Sequence, residues 1–189
     1  TFVKILKNRK MLLYILAYFF YIDGVYTIIS MATSYGTTVG IDSMQMILAL
    51  LLTQFVAFPF AILASKYADR IGTLKVIQFF ILVYIGCCVF GYFLNYAWQF
   101  WILAVMVGLA QGGIQALSRS YFGRLVPKEA SNEFFGFFDI FGKFADFMGP
   151  IILAVFSFFG VPQFGVLSLA ILFIIGFILL GKLRRMTGE

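Results

Sequence analysis

The stretch from Phe134 to Pro150 reads FFGFFDIFGKFADFMGP. It is apolar enough to enter a bilayer, yet it carries Asp139, Lys143 and Asp146. A charged residue at membrane depth costs at least ~2.5 kcal/mol, so such residues usually mark a solute pathway or an ion-coupling site. The stretch therefore favours a transporter.

The composition of the whole chain indicates an integral membrane protein. Of its 189 residues, 62% are hydrophobic and 12% are charged, and the mean hydropathy is +1.00. One soluble core of this size cannot bury that much apolar surface. A membrane-spanning helix needs about 20 apolar residues, and six stretches qualify: residues 11–35, 44–64, 76–94, 98–118, 134–156 and 164–181. We therefore predict an all-α membrane protein in which residues 1–189 form a single six-helix transmembrane domain.

The basic residues fall on one side of these spans. Thirteen of the fourteen lie outside the apolar runs, and no basic residue lies in the loops near Gly40, Tyr96 and Val161. The thirteen are Lys4, Lys7, Arg9, Lys10, Lys66, Arg70, Lys75, Arg119, Arg124, Lys128, Lys182, Arg184 and Arg185. Loops rich in Lys and Arg stay in the cytoplasm, so we expect both termini to be cytoplasmic. The net charge of +6 then reflects the orientation of the spans in the membrane rather than a nucleic-acid-binding surface. We therefore expect a lipid bilayer, and no nucleic acid, as a partner.

Residue types exclude several kinds of chemistry. The chain has no His, and its two Cys residues are the neighbours Cys87 and Cys88 in an apolar span. The usual zinc and haem ligand sets are therefore missing, and we expect no metal, no cofactor and no enzyme activity. One enzymatic alternative stays open, because an intramembrane carboxylate pair such as Asp23 with Asp146 can hydrolyse peptides.

Polar residues are unevenly distributed among the spans. The first, second, fourth and fifth helices carry most of them: Asp23, Thr27, Thr53, Gln54, Gln111, Gln115, Asp139, Lys143 and Asp146. The third and sixth helices carry only Gln78 and Ser168. Two inverted three-helix repeats would give this distribution if the first two helices of each repeat line a water-filled cavity.

The charged residues of the spans lie at similar depths. By helical rise, Asp23 is about 18 Å from Met11, and Asp146 and Lys143 are about 18 Å and about 14 Å from Phe134. Asp139, Lys143 and Asp146 are spaced i, i+4 and i+7, so they share one face of the fifth helix. We expect Lys143 to neutralise one of these acids and to approach Asp23. The alternative is a self-neutralising cluster that only specifies helix packing.

Glycine and proline positions predict close helix contacts. Gly108, Gly112 and Gly113 form a small-residue face on the fourth helix, which allows a neighbouring helix to approach. Gly149 and Pro150 permit a kink where the fifth helix passes a neighbour.

Two motifs resemble known transporters. The loop SKYADRIG, residues 65–72, resembles the G-x-x-x-D-R-x-G loop of the major facilitator superfamily, with Ser65 in place of the leading Gly. The stretch GLAQGGIQALSRS, residues 108–120, is more specific when taken with Pro127, EFFG at residues 133–136, Gly142–Lys143 and YIDG at residues 21–24. Together these residues resemble the C-terminal half of the autophagy-related vacuolar amino-acid effluxer family, and of its bacterial members in particular.

The resemblance implies a fold and a missing partner. The six helices would correspond to the seventh to twelfth helices of a twelve-helix carrier, in which the first, second, fourth and fifth helices of each half line the central cavity. A second six-helix half, either the N-terminal half or a twofold copy, would then be needed. The chain begins at Thr1 rather than Met, which also suggests a fragment or a processed product. We expect the host to be the bacterial inner membrane.

The function expected from these features is alternating-access transport of an amino acid or similar metabolite, coupled to protons. The expected ion-coupling residues are Asp23, Asp139 and Asp146, and the expected substrate-binding residues are Lys143, Gln111, Gln115 and Gln54. Asp69 and Arg70 are expected to form a cytoplasmic gate with Arg119. The alternative is a non-transporting six-helix module for membrane assembly or regulation.

Overall fold

The computed structural model describes Ile5 and residues 7–188. Thr1 and Lys4 lie outside the described residues, so the predicted position of the N-terminus and of one basic residue is not placed. The helices are α1 (Arg9–Thr38), α2 (Ser43–Ile71), α3 (Thr73–Tyr92), α4 (Ala97–Leu125), α5 (Ser131–Ala145), α6 (Met148–Phe158) and α7 (Pro162–Thr187). A short 3₁₀ turn, Lys128–Ala130, precedes α5.

Six spans in the described part of the chain are long and apolar enough to cross a membrane, and α5 and α6 together make the fifth. The prediction of an all-α, six-helix membrane protein is confirmed. The helices extend beyond the predicted apolar runs, because a helix continues into the headgroup region where charged residues are tolerated. In α2 the helix runs through Asp69 and Arg70 and ends at Gly72, whose φ of +103° turns the chain into α3.

Successive spans run in opposite directions, which gives the bundle two ends. The basic end holds the start of α1 and the ends of α2, α4 and α7. There the Arg124 guanidinium donates to the Thr73 hydroxyl at 3.2 Å, and that of Arg184 donates to Gln78 Oε1 at 2.8 Å. The opposite end holds the loops around Gly40, Asn95 and Gly160, and there the Tyr35 hydroxyl donates to the Gly91 carbonyl at 2.8 Å.

The packing is uneven. α3 lies against both α4 and α7, α1 lies mainly against α7, and α2 lies mainly against α4. The fifth span has weaker contacts, which α5 makes with α1 and α6 makes with α7. α2 also has a large exposed face, on which Phe55 and Phe58 are 77% and 73% exposed. The two inverted three-helix repeats remain a prediction.

Glycines bring α2 and α4 together. A Cβ on Gly108 would lie 2.8 Å from the Thr53 carbonyl oxygen, and one on Gly112 would lie 2.5 Å from that of Ala57. Both distances are shorter than van der Waals contact, so only glycine fits at these positions. The predicted small-residue face of the fourth helix is confirmed.

The fifth span, predicted over residues 134–156 with a kink permitted at Gly149 and Pro150, consists of two helices. α5 ends at Ala145, Asp146 and Phe147 form a break, and α6 begins at Met148. Pro150 explains the position of the break, because a proline ring clashes with the carbonyl of the fourth residue before it, here Asp146. Pro150 itself lies in the first turn of α6, where its missing N–H costs no helical hydrogen bond.

Candidate functional site

Asp23 is fully buried in the middle of α1 and faces the start of α6. The backbone N–H of Gly149 donates to both carboxylate oxygens of Asp23, at 3.0 Å and 3.1 Å. The Thr27 hydroxyl donates to the same carboxylate at 3.5 Å. Gly149 is the second residue of α6, so Asp23 binds the positive end of that helix. Thr27, one turn further along α1, is thus a partner for Asp23 on its own helix.

Glycines let the neighbouring helices close around Asp23. A Cβ on Gly149 would collide with the Thr27 hydroxyl. On the other side of α1, a Cβ on Gly24 would lie 2.7 Å from the Phe173 ring of α7. Residues larger than glycine would push α6 or α7 away from Asp23.

An open cavity of about 550 Å³, here called the polar cavity, lies between α1, α4 and α5. It contains two basic and two acidic side chains, Arg119, Lys143, Asp139 and Asp146. Tyr18, Tyr26 and Ser30 of α1 add hydroxyl groups to its wall. The cavity can therefore hold a small solute that carries both positive and negative charge.

One acid and one base in the polar cavity already pair with each other. The two terminal nitrogens of Arg119 approach the two oxygens of Asp139 at 3.0 Å and 3.1 Å. The guanidinium also lies over the Phe135 ring, 5.6 Å from its centre. Because Arg119 and Asp139 are 59% and 46% exposed, water screens the pair, which adds little stability by itself.

Lys143 does not neutralise Asp139, contrary to one of the two expectations for this lysine. It is exposed, and within residues 7–188 it makes no ion pair or hydrogen bond. Asp146, at the break between α5 and α6, is also exposed to the cavity. Asp23 forms no ion pair with Lys143 in the described part of the chain, and its oxygens bind Gly149 and Thr27 instead. An approach of the two side chains through one water stays a prediction. Lys143 and Asp146 therefore remain accessible to a solute.

The predicted glutamines do not lie in the polar cavity. Gln54 and Gln111 line a separate cavity of about 70 Å³ nearer the opposite end, here called the apolar cavity. Its walls are almost entirely apolar, and Ile29 lies between it and the polar cavity. The buried Oε1 of Gln111 has no hydrogen-bond partner in the described part of the chain. Gln115 lines neither cavity.

The predicted gate does not form among the residues that the structure describes. Asp69 and Arg70 are exposed at the basic end of α2, and neither pairs with another described residue. Arg119, their expected partner, pairs with Asp139 instead. The motif that contains Asp69 and Arg70 therefore has its charges free for a contact outside the described residues.

A buried hydroxyl network near the basic end was not predicted. The Tyr14 hydroxyl donates to the Ser118 carbonyl at 2.7 Å, and the Tyr21 and Ser118 hydroxyls lie 2.7 Å apart. These contacts hold α1 against α4 immediately beside Arg119. The i, i+7 spacing of the two tyrosines placed them on one face of α1, but their partner on α4 lies about a hundred residues away.

Comparisons with known proteins agree with this architecture. Residues 1–188 match a family model described as "Vacuole effluxer Atg22 like". The chain is 50% identical over its whole length to a Bacillus subtilis protein named "Uncharacterized MFS-type transporter YxiO", and it covers 44% of that protein. It is 26% identical to autophagy-related protein 22-1 of Aspergillus niger, over 91% of the chain and 30% of that protein. The chain thus spans less than half the length of these relatives.

Proposed function

Because this chain belongs to the Atg22-like vacuole effluxer family, we propose that it is one half of a secondary active transporter. Its relatives include a protein named as an MFS-type transporter. We propose that the solute is an amino acid or a similar small metabolite and that protons drive its movement. The observation that carries this proposal is the polar cavity, which places charges of both signs in front of a buried carboxylate.

The polar cavity suits a solute that is itself a zwitterion. Arg119 and Asp139 satisfy each other, so Lys143 and Asp146 are the free charges. Lys143 would bind a carboxylate and Asp146 would bind an ammonium group. A singly charged solute would leave one of these two groups without a charged partner, and a neutral solute would leave both, which is costly once a closing carrier expels water.

Asp23 is the proposed proton carrier. It is the one fully buried acid among the described residues, and its partners are neutral groups rather than a basic side chain. A carboxylate in this setting can exist with or without a proton, whereas a tight ion pair would fix it as charged. We propose that protons pass between Asp23 and the polar cavity by way of the Asp146 carboxylate. Asp139 is the third proposed ion-coupling residue. Unlike Asp23 and Asp146, it is already paired with a basic side chain, that of Arg119.

The glutamines are proposed to act from the apolar cavity. Gln111 has an unsatisfied buried oxygen there, which would accept a hydrogen bond from the solute. Gln54 lies on the same wall. Gln115, which lines neither cavity, has no contact that supports a binding role.

Alternating access requires a second six-helix half. The polar cavity is open to one side, and several charged groups cannot rest against lipid. We propose that the second half, either an N-terminal half or a twofold copy, covers this face. Asp69 and Arg70 are proposed to form the cytoplasmic gate with that half. The basic end would then face the cytoplasm of a bacterial cell.

The direct test is solute uptake by the protein that contains this chain, reconstituted in lipid vesicles. A panel of labelled zwitterionic, anionic, cationic and neutral solutes is supplied with and without a pH gradient. We expect accumulation of at least one zwitterion, and only when the gradient is present. Uptake of no solute under either condition, by protein shown to be folded, would support a non-transporting membrane module instead.

A further inference from the structure

The break in the fifth span makes α6 a separate element. α6 has eleven residues and follows two non-helical residues, Asp146 and Phe147, so the backbone hydrogen-bond ladder of α5 does not extend into it. α6 packs mainly against α7 and touches α1 over a smaller area. The hydrogen bond between Gly149 and Asp23 lies within this smaller contact of α6 with α1.

The chemistry of that hydrogen bond depends on whether Asp23 carries a proton. A carboxylate only accepts hydrogen bonds, and here both of its oxygens share the N–H of Gly149. Negative charge is also favoured at the first turn of a helix. A protonated Asp23 loses the charge, and one of its two oxygens becomes an O–H donor, so only the carbonyl oxygen remains a good acceptor for the Gly149 N–H. Proton uptake thus weakens the attraction between α1 and the start of α6.

The positions of the other charged residues indicate that Asp23 is the group whose protonation affects α6. Asp146 lies at the break that precedes α6, the helix whose Gly149 binds Asp23. Lys143 and the Arg119–Asp139 pair lie further out in the polar cavity. α6 has no charged residue, and the charged residues of α2, α3 and α7 all lie near the basic end: Lys66, Asp69, Arg70, Lys75, Lys182, Arg184 and Arg185.

We propose that the hydrogen bond from Gly149 to Asp23 holds α6 against α1 and that it weakens enough to release α6 when Asp23 binds a proton. α6 then moves about the break at Asp146 and Phe147. Because Asp146 is both in the break and in the wall of the polar cavity, this motion repositions a carboxylate of the solute site. The inference rests on the proposed function only in taking Asp23 as the residue that protons reach.

The test measures the position of α6 by spin labels on the protein in lipid vesicles. Thr38 and Ser157 are exposed at the opposite end of the bundle, at the ends of α1 and α6, and Thr38→Cys with Ser157→Cys provides the label pair. The native Cys87 and Cys88 are buried. Distances are recorded at neutral and at acidic pH. We expect the distance to change between the two conditions in the otherwise unaltered protein.

Three further substitutions identify the cause of the change. Asp23→Asn should give the acidic-pH distance at both pH values. Gly149→Ala should do the same, because the added methyl group collides with Thr27 while the Asp23 carboxylate is kept. Glu129→Gln, which removes an exposed acid outside the site, should respond to pH as the unaltered protein does. A distance that is the same at both pH values in the unaltered protein, or a pH response that survives Asp23→Asn, would overturn the proposal.

Uptake measured in the same vesicles separates this proposal from the proposed function. If the label distance depends on pH and Asp23→Asn removes that dependence, the α6 motion is supported. If no solute is taken up in the same vesicles, the transport proposal is contradicted. Gradient-driven uptake would support transport. If the distance between the two spin labels were then the same at both pH values and in Asp23→Asn, the α6 motion would be contradicted.

Discussion

A buried carboxylate needs hydrogen-bond donors, and Asp23 obtains them from a helix terminus rather than from a basic side chain. The Gly149 N–H and the Thr27 hydroxyl are neutral donors, so they stabilise the charge without neutralising it. Lys143 is the reverse case, a charged side chain with no partner in the described part of the chain. In the proposed mechanism Asp23 carries the proton and Lys143 binds the solute.

Replacing Lys143 by Gln should weaken solute binding. A hydrogen bond to a charged group contributes about 1.5–3 kcal/mol, so we expect the KM for uptake to rise roughly tenfold or more. The amount of folded protein should be unchanged, since Lys143 holds no other described side chain. The matched control is Lys128→Gln, which removes an exposed lysine outside both cavities. An unchanged KM in Lys143→Gln would remove this lysine from the solute site.

At the scale of helices, glycines and one proline decide how the elements meet. Gly112 lets α4 lie against the backbone of α2, and Pro150 breaks the fifth span one turn before itself. The uneven result is a tight α2–α4 pair and a loosely held fifth span. The close packing therefore lies between α2 and α4, and the weaker packing lies around α5 and α6.

Replacing Gly112 by Ala should destabilise the protein. The new methyl group would lie 2.5 Å from the Ala57 carbonyl oxygen, so α2 must shift, at a cost of about 1–3 kcal/mol. Gly136→Ala is the matched control, because a Cβ there has no neighbour within 4 Å and alanine favours a helix. Thermal unfolding in mild detergent should show a lower Tm for Gly112→Ala only. Equal Tm values would mean that the close α2–α4 contact adds no stability.

The sequence predicted the elements better than the contacts between them. Apolar runs identified all six spans, because membrane insertion depends on local composition. The contact of Asp23 with Gly149 joins residues 126 positions apart, and no local pattern reports it. Pro150 alone does not predict the break, because Pro59 lies inside the unbroken helix α2. The Arg119–Asp139 pair joins two separate helices, and the depths of charges within each helix do not determine such partners.

At the scale of the whole molecule, one end of the bundle is basic and the opposite end has no basic residue in its loops. We therefore expect Asp42 and Asn95 to be extracytoplasmic and Arg70 and Arg124 to be cytoplasmic. An impermeant thiol reagent added outside cells should label Asp42→Cys and leave Arg124→Cys unlabelled. The buried Cys87 and Cys88 should give little background. Labelling of residue 124 but not of residue 42 would reverse the orientation.

The central claim is that Asp23 couples a proton gradient to solute movement through the polar cavity. The most direct measurement compares two activities of Asp23→Asn in lipid vesicles: accumulation driven by a pH gradient, and exchange of labelled for unlabelled solute without a gradient. An asparagine cannot carry the proton, and the substitution removes none of the side chains that line the polar cavity. We predict that accumulation falls to background while exchange continues. Gradient-driven accumulation equal to that of the unaltered protein would contradict the account.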